Sequence, residues 1–241
     1  MKPSDFWSGK NVLVTGATRG IGYAIAEIFI EAGAKVAGVG SSPEGSVPVG
    51  VELIAADLLS SSALDQLCGR IDELKPGVVV NCAGINRISP FAEIEPADFE
   101  EIQQINVTAP FRVCRAAVPH MKAVGWGRIV NIASVWSKVG KEFRASYATS
   151  KFGLVGMTAA LAAEVAEFGI LANCVSPGVI ETEMTRSVLD DVQIEGLLQT
   201  VPARRLGTPE EVAEFVFWLG GPRNTFICGQ NIAIDGGMTR V

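Results

Sequence analysis

The chain has 241 residues, 48% of them hydrophobic and 19% charged, with a formal net charge of -6. An acidic balance disfavours wholesale binding to nucleic acid or to an anionic membrane, and no apolar run approaches the roughly 18 residues that a membrane span needs. With a polar N-terminal stretch lacking an apolar signal core, a cytosolic protein is expected, folded as one globular domain over 1–241.

In chain order, residues 11–15 (NVLVT) form a short β-branched apolar run, read as a buried strand. Gly16-Ala-Thr-Arg-Gly20-Ile-Gly22 follows at once. Ile21, Ile25, Ile28 and Ala32 then recur at helical spacing up to Gly33, and residues 35–39 read as a second strand. Strand, glycine turn, helix and strand make a βαβ unit. Glycines let a backbone approach a pyrophosphate, and a helix N-terminus offers free N–H groups and a positive dipole end. The spacing is G-x-x-x-G-x-G, so the G-x-G-x-x-G fingerprint is not met.

The alternation continues with a strand at 51–55, a helix at 63–74 and a strand at 78–80 that runs into Asn81-Cys82-Ala83-Gly84. Pro96 opens a long helix with apolar positions Phe99, Ile102, Ile105, Ala109 and Val113, and a strand at 128–132 leads to Ser134. A helix from residue 145 carries Leu154, Met157, Leu161 and Val165, and strands follow at 171–175 and 231–234. Such alternation implies an α/β fold, a Rossmann-type doubly wound parallel sheet of about seven strands with helices on both faces. Ligands of these sheets bind beyond the carboxyl ends of the strands, where Asn81, Ser134 and the Pro177-Gly178 pair fall.

The five cysteines are scattered without a C-x-x-C pair and read as free thiols. His120 is the single histidine and is expected near a helix end, in a capping or surface role, so neither a Ser-His-Asp site nor a His-rich metal site is supported, and no metal is expected. Tyr147 and Lys151 stand four apart, which on a helix shares a face. A nearby ammonium favours phenolate, and a tyrosine so tuned can exchange a proton with a carbonyl or alcohol oxygen. The spacing by itself favours a surface tyrosine with an unrelated lysine, a pairing common by chance; the motifs upstream of it overturn that reading.

Taken together, TGATRGIG (15–22), NCAG (81–84), Asn106, Ser134, the Tyr147 and Lys151 pair and PGVIET (177–182) resemble the short-chain dehydrogenase/reductase family over nearly the whole chain. GVIETEMTR (178–186), VPARRLGTPEEVA (201–213) and IDGGM (234–238) are similar to the stretches found in its 3-oxoacyl-carrier-protein reductases. Cys82 departs from the family, which often has a second asparagine there. The resemblance implies hydride transfer between nicotinamide and a carbon bearing oxygen. Tyr147 would give or take the proton, Ser134 would hold the substrate oxygen, and Lys151 would lower the tyrosine pKa and bind the nicotinamide ribose. Asn106 would sit at a helix irregularity whose water links Lys151 to solvent. Cofactor contacts would come from Gly16, Thr18, Arg19, Gly20, Ile21 and Gly22 in the turn, and from Ser41, Asp57, Leu58, Asn81, Ala83 and Gly84. Pro177, Gly178, Ile180 and Thr182 would complete them. Family members assemble as homotetramers or dimers through helix faces, although the apolar stripes here could equally be core.

NADP(H) is expected over NAD(H). A carboxylate at the end of the second strand would bind the ribose 2′-hydroxyl of NAD, yet that region reads Gly38-Val39-Gly40-Ser41-Ser42, with no acid before Glu44. Arg19 is either a solvated turn residue or a ligand of the 2′-phosphate. Trp136, Lys138, Lys141 and Arg144, with Arg87, are candidate substrate contacts, able to hold an anionic group or simply to carry solvated charge. Carrier-protein reductases tend to place arginines where this chain has Gly125 and Phe168, so a small polar or anionic carbonyl compound is expected as substrate rather than a carrier-bound acyl chain, with Arg112, Arg115, Lys122 and Arg128 as possible replacements. Residues 183–205 are expected to form a lid, or simply to pack on the sheet edge.

Overall fold

A computed structural model describes residues 6–240. Seven parallel strands form one sheet in the order β3-β2-β1-β4-β5-β6-β7. They are β1 (Asn11–Thr15), β2 (Lys35–Gly40), β3 (Glu52–Ala55), β4 (Val78–Asn81), β5 (Gly127–Ile132), β6 (Ile170–Pro177) and β7 (Asn231–Ile234). Strand order reverses between β1 and β4, which opens a crevice at the carboxyl edge there. The register is level across it: Thr15 pairs with Asn81, and Asn81 with Asn131. The segments leaving β1, β4 and β5 therefore emerge side by side.

Alternate side chains of the strands feed two cores. On one face Val12, Val14, Val80, Val130 and Val175 pack with Ile25 and Phe29 of α1 (Gly20–Glu31) and with Val212 and Val216 of α8 (Pro209–Leu219). On the other, Leu13, Val79, Ile129 and Ala172 meet Leu64, Leu67 and Ile71 of α2 (Ser61–Leu74), together with Val113 and Met121 of α4 (Ala109–Val124). Burial on both faces is why these strands read as continuous apolar runs. The helix α8 has no counterpart among the elements expected from sequence. Its buried stripe, Val212, Ala213, Val216 and Leu219, is interleaved with Phe215, Phe217 and Trp218, and Thr208 and Glu211 form a capping box at its start.

The long helix from Pro96 is broken. Α3 (Pro96–Gln103) passes into a π-turn at Gln104–Thr108 and then into α4. Pro119 lies inside α4, which runs on past His120 to a left-handed cap at Gly125, so the helix end expected near His120 is displaced. The helix that holds Tyr147 and Lys151 is α5 (Ala145–Val165). Between β6 and α8 lie α6 (Glu183–Val188) and α7 (Asp191–Leu198). Among the described residues no helix is long and apolar enough to cross a membrane.

At the tightest point of the βαβ turn, a Cβ on Gly22 would stand 2.1 Å from the Gly16 carbonyl oxygen. Gly22→Ala is expected to cost about 1–3 kcal/mol through overpacking. Urea unfolding measures this, and an unchanged midpoint would show that the turn has room.

Candidate active site

A cleft of about 410 Å³ opens along the carboxyl edge of the sheet, within the range of small-molecule sites. At one end lie Gly16, Thr18, Arg19, Gly20, Ile21 and Gly22, with Ser41, Asp57 and Leu58 beside them. Ala83, Gly84, Pro177, Gly178, Ile180 and Thr182 border the middle, and Ser134, Trp136, Arg144, Tyr147 and Lys151 the other end. Asn81, Asn106, Arg87, Lys138 and Lys141 are not among the described residues that line it.

The glycine turn leaves backbone bare. Gly16 has φ +70°, and a Cβ there would come within 2.8 Å of the Ala83 backbone, so the turn and the NCAG segment touch main chain to main chain. Thr15 holds that contact from beneath, its Oγ1 accepting from the Cys82 and Ala83 amides at 3.1 Å each. Helix α1 starts at an extended Arg19 without a side-chain cap. Its first N–H groups and the positive end of its dipole are thereby left for an anion. Asn81 points inward instead, donating to Asn131 Oδ1 at 2.8 Å.

Tyr147, Ser134 and Lys151 converge from two elements, the end of β5 and the first turns of α5. Lys151 is 4% exposed, with Nζ donating to the Ile132 carbonyl at 2.8 Å and lying 5.5 Å from the Tyr147 ring centroid. Asn106 occupies the π-turn and is fully buried. Its Oδ1 accepts from the Ile85 amide at 2.9 Å, and its Nδ2 donates to the Ile85 carbonyl at 3.0 Å and to Ser150 Oγ at 2.9 Å. Ser150 in turn donates to the Tyr147 carbonyl at 2.7 Å. One amide thus ties the loop after β4 to the backbone of the tyrosine helix. Gly84 fits between the two groups, since a Cβ there would stand 3.2 Å from Asn106 Oδ1 and 3.5 Å from Lys151 Nζ.

The electrostatics differ from the simple expectation of a lysine lowering a tyrosine. Burial pushes the Tyr147 phenol up to about 12, while the Ser134 hydroxyl and the charge of Arg144 pull it down. Burial also lowers Lys151 to about 8. Cys82, on the cleft wall, is pushed up to about 12 by burial and is a poor nucleophile at neutral pH.

Of the five candidate substrate contacts, Trp136 and Arg144 face the cleft. Lys138 donates to the Asn231 carbonyl at 2.6 Å, Lys141 pairs with Glu142, and Arg87 pairs with Asp98 at 3.0 Å and Glu101 at 2.6 Å. From 183–205, Glu183, Met184, Thr185, Val188, Leu189 and Leu197 reach the cleft. Arg186 braces this segment through Glu181 and Asp191. Sequence reasoning passed over Thr15, Ser150, Ile85 and Asn86. Thr15 carries a readable signal, as a hydroxyl at the end of a strand just before a glycine turn; Ser150 carries none.

Among the described residues no cluster of three or more His, Cys, Asp or Glu could hold a metal. The family model described as enoyl-(acyl carrier protein) reductase matches residues 16–239. The 3-oxoacyl-[acyl-carrier-protein] reductase FabG of Vibrio harveyi is 37% identical, over 97% of this chain and 98% of its own. The fold is similar to that of a gluconate 5-dehydrogenase from Burkholderia cenocepacia in complex with NADP and tartrate, with TM-score 0.90, 29% identity and 99% of both chains covered. It is equally similar to a 4-hydroxyisoleucine dehydrogenase complexed with NADH, with TM-score 0.91, 29% identity, and 97% of this chain and 100% of that one covered.

The buried Lys151 has a stability consequence. Below pH 8 folded and unfolded chains both hold its proton, so the folded state bears the full cost of the buried charge; between pH 8 and its ordinary 10.5 only the unfolded chain is protonated, and stability rises with pH. Lys151→Met is expected to stabilise the protein at pH 7 by about 1–2 kcal/mol, after the lost bond to Ile132 is counted, and to flatten the rise towards pH 9.5. Urea midpoints at pH 7 and 9.5 measure both effects, and a destabilised variant at pH 7 would contradict this account.

Proposed function

Since the chain belongs to the short-chain dehydrogenase/reductase family, we propose that it interconverts a ketone and a secondary alcohol with NADP(H), using Tyr147 as general acid and base. The observation that carries this reading is the convergence of Ser134, Tyr147 and Lys151 at one end of a cleft whose other end is the glycine turn. The bare backbone of Gly16 and the uncapped start of α1 fit a pyrophosphate. Asp57 and Leu58 would meet the adenine, Lys151 the nicotinamide ribose, and Ile180 and Thr182 the carboxamide. Bound nicotinamide supplies or accepts the hydride.

The residues of the chain handle the proton. A phenol held near 12 is neutral at pH 7, the state needed to donate to a carbonyl oxygen during reduction. Ser134 would donate a hydrogen bond to the same oxygen and hold it in line. Asn106, bonded to both polar groups of the Ile85 backbone and to Ser150, would keep the tyrosine helix and the Gly84 loop in register while Lys151 exchanges its proton with solvent. Residues 183–205 would close over the substrate, their apolar side chains excluding water. Exposed Phe111 on α4 and Phe152 on α5 suit a helix-to-helix interface in a homotetramer. Tyr147→Phe is expected to lower turnover by about 100- to 10,000-fold while leaving NADPH affinity close to wild type. A fully active variant would remove Tyr147 from the chemistry.

Solved relatives are found with NADP and with NADH, so the choice of cofactor rests on residues of this chain. The end of β2 presents Ser41 and Ser42, without a carboxylate to repel a 2′-phosphate, and Arg19 lines the same end of the cleft. Among the described residues Arg19 is held only by an exposed 3.5 Å contact to Glu183. An NADPH preference of at least about tenfold in kcat/KM is expected, and Arg19→Ala should narrow it. Equal efficiency with NADH would reject the assignment.

Identity to carrier-protein reductases favours a second reading, reduction of a carrier-bound 3-oxoacyl chain. The charges available for an acidic carrier are poorly placed. Arg128 is buried, Arg112 pairs with Asp65, and Lys122 lies over the Phe168 ring at 4.5 Å. Arg115 is the member of that group left exposed and unpaired among the described residues. We therefore favour a small polar or anionic carbonyl compound. High efficiency on carrier-linked acetoacetate, compared with small ketones, would reverse that preference.

A further inference from the structure

Two arginines are buried, and the fold treats them oppositely. The guanidinium of Arg128 donates to the carbonyls of Gly127, Gly169 and Asn224 at 2.7, 3.0 and 2.8 Å, and lies 4.8 Å from the Trp126 ring. Arg144 is 8% exposed and lines the cleft, yet among the described residues its guanidinium meets no hydrogen-bond acceptor and no carboxylate. Even half-exposed arginines such as Arg87 and Arg186 find carboxylates. Arg144 also stands at the N-cap of α5, where the helix dipole disfavours a cation. A charge partly withdrawn from water, unpaired at the positive end of a 21-residue helix and open only to the cleft, is offset by an anion bound there.

The cleft says where that anion would lie. Arg144 is one helical turn before Tyr147, about 4.5 Å along the axis, and its charge acts on the phenol. On the same cleft, the buried Asn86 amide oxygen has no partner among the described residues; as an acceptor it suits a hydroxyl of the substrate and not the anion itself. The other cleft-lining cations serve elsewhere, Arg19 at the glycine turn and Lys151 beneath the tyrosine, so one planar guanidinium faces the substrate end. A single fork matches a monoanionic carboxylate, whereas a phosphate dianion would be left half-neutralised. We propose that Arg144 anchors the carboxylate of a short oxo or hydroxy acid, placed one or two carbons from the carbon whose oxygen Tyr147 serves. This inference rests on the reading of Tyr147 as the proton donor.

The test uses the full chain with NADPH and compares 2-oxobutanoate and 3-oxobutanoate with their methyl esters. The wild type should prefer at least one acid over its ester. Arg144→Gln should lower the acid-to-ester ratio of kcat/KM roughly 100-fold, mainly through KM of the acid, and Arg144→Lys should recover part of it. Thermal unfolding of both variants separates loss of binding from loss of fold. Equal losses on acid and ester, or a wild type that reduces the esters and not the acids, would overturn the anchor and leave the oxidoreductase reading standing. Inertness towards the acids, the esters and neutral ketones alike would remove both.

Discussion

The level register of the parallel strands is the constraint on which the rest of the structure depends. Because Thr15, Asn81 and Asn131 pair across β1, β4 and β5, the three segments that follow leave the sheet together on either side of the strand-order reversal. The glycine turn, the NCAG loop and the Ser134 segment then have no choice but to line one crevice. Close approach follows from this. Gly16 meets the Ala83 backbone, Thr15 holds the two amides beyond Asn81, and a side chain at either contact would push the walls of the cleft apart.

A second level of organisation comes from polar groups placed where apolar ones would be more stable. Lys151 and Arg144 are buried cations, and Asn106 is a buried amide inside a helix. The π-turn at Gln104–Thr108 turns the Asn106 side chain towards Ile85 and Ser150, so the irregularity positions a group that a regular helix would aim elsewhere. Lys151 meets a carbonyl, and Arg144 meets only the cleft. Desolvation sets the proton affinities here more strongly than pairing does: it raises Tyr147 and lowers Lys151. The four-residue spacing of tyrosine and lysine is compatible with the opposite shift, and it is burial, a property of the whole fold, that reverses it.

The sheet and the glycine end of the cleft are legible in the chain before it folds. Runs such as 11–15 and 231–234 are local, their alternation with helical stripes is local, and strict parallel topology leaves few ways to assemble them. The bounds of β1 and β7 agree with the runs read from sequence, and the other strands shift by a residue or two, which hydrogen bonding at the ends decides. Helix α8 escaped although Val212, Ala213, Val216 and Leu219 recur at helical spacing behind a capping box, because Phe215, Phe217 and Trp218 mask that stripe in the sequence. Which charges are spent depends on the neighbours that folding brings up. Lys138, Lys141, Arg87 and Arg144 are alike in the sequence, and three of them find partners on segments up to 93 residues away or close by. Arg144 is left facing the cleft because no acceptor is folded against it, and a missing partner is a property of the neighbours that three dimensions supply, not of the residue.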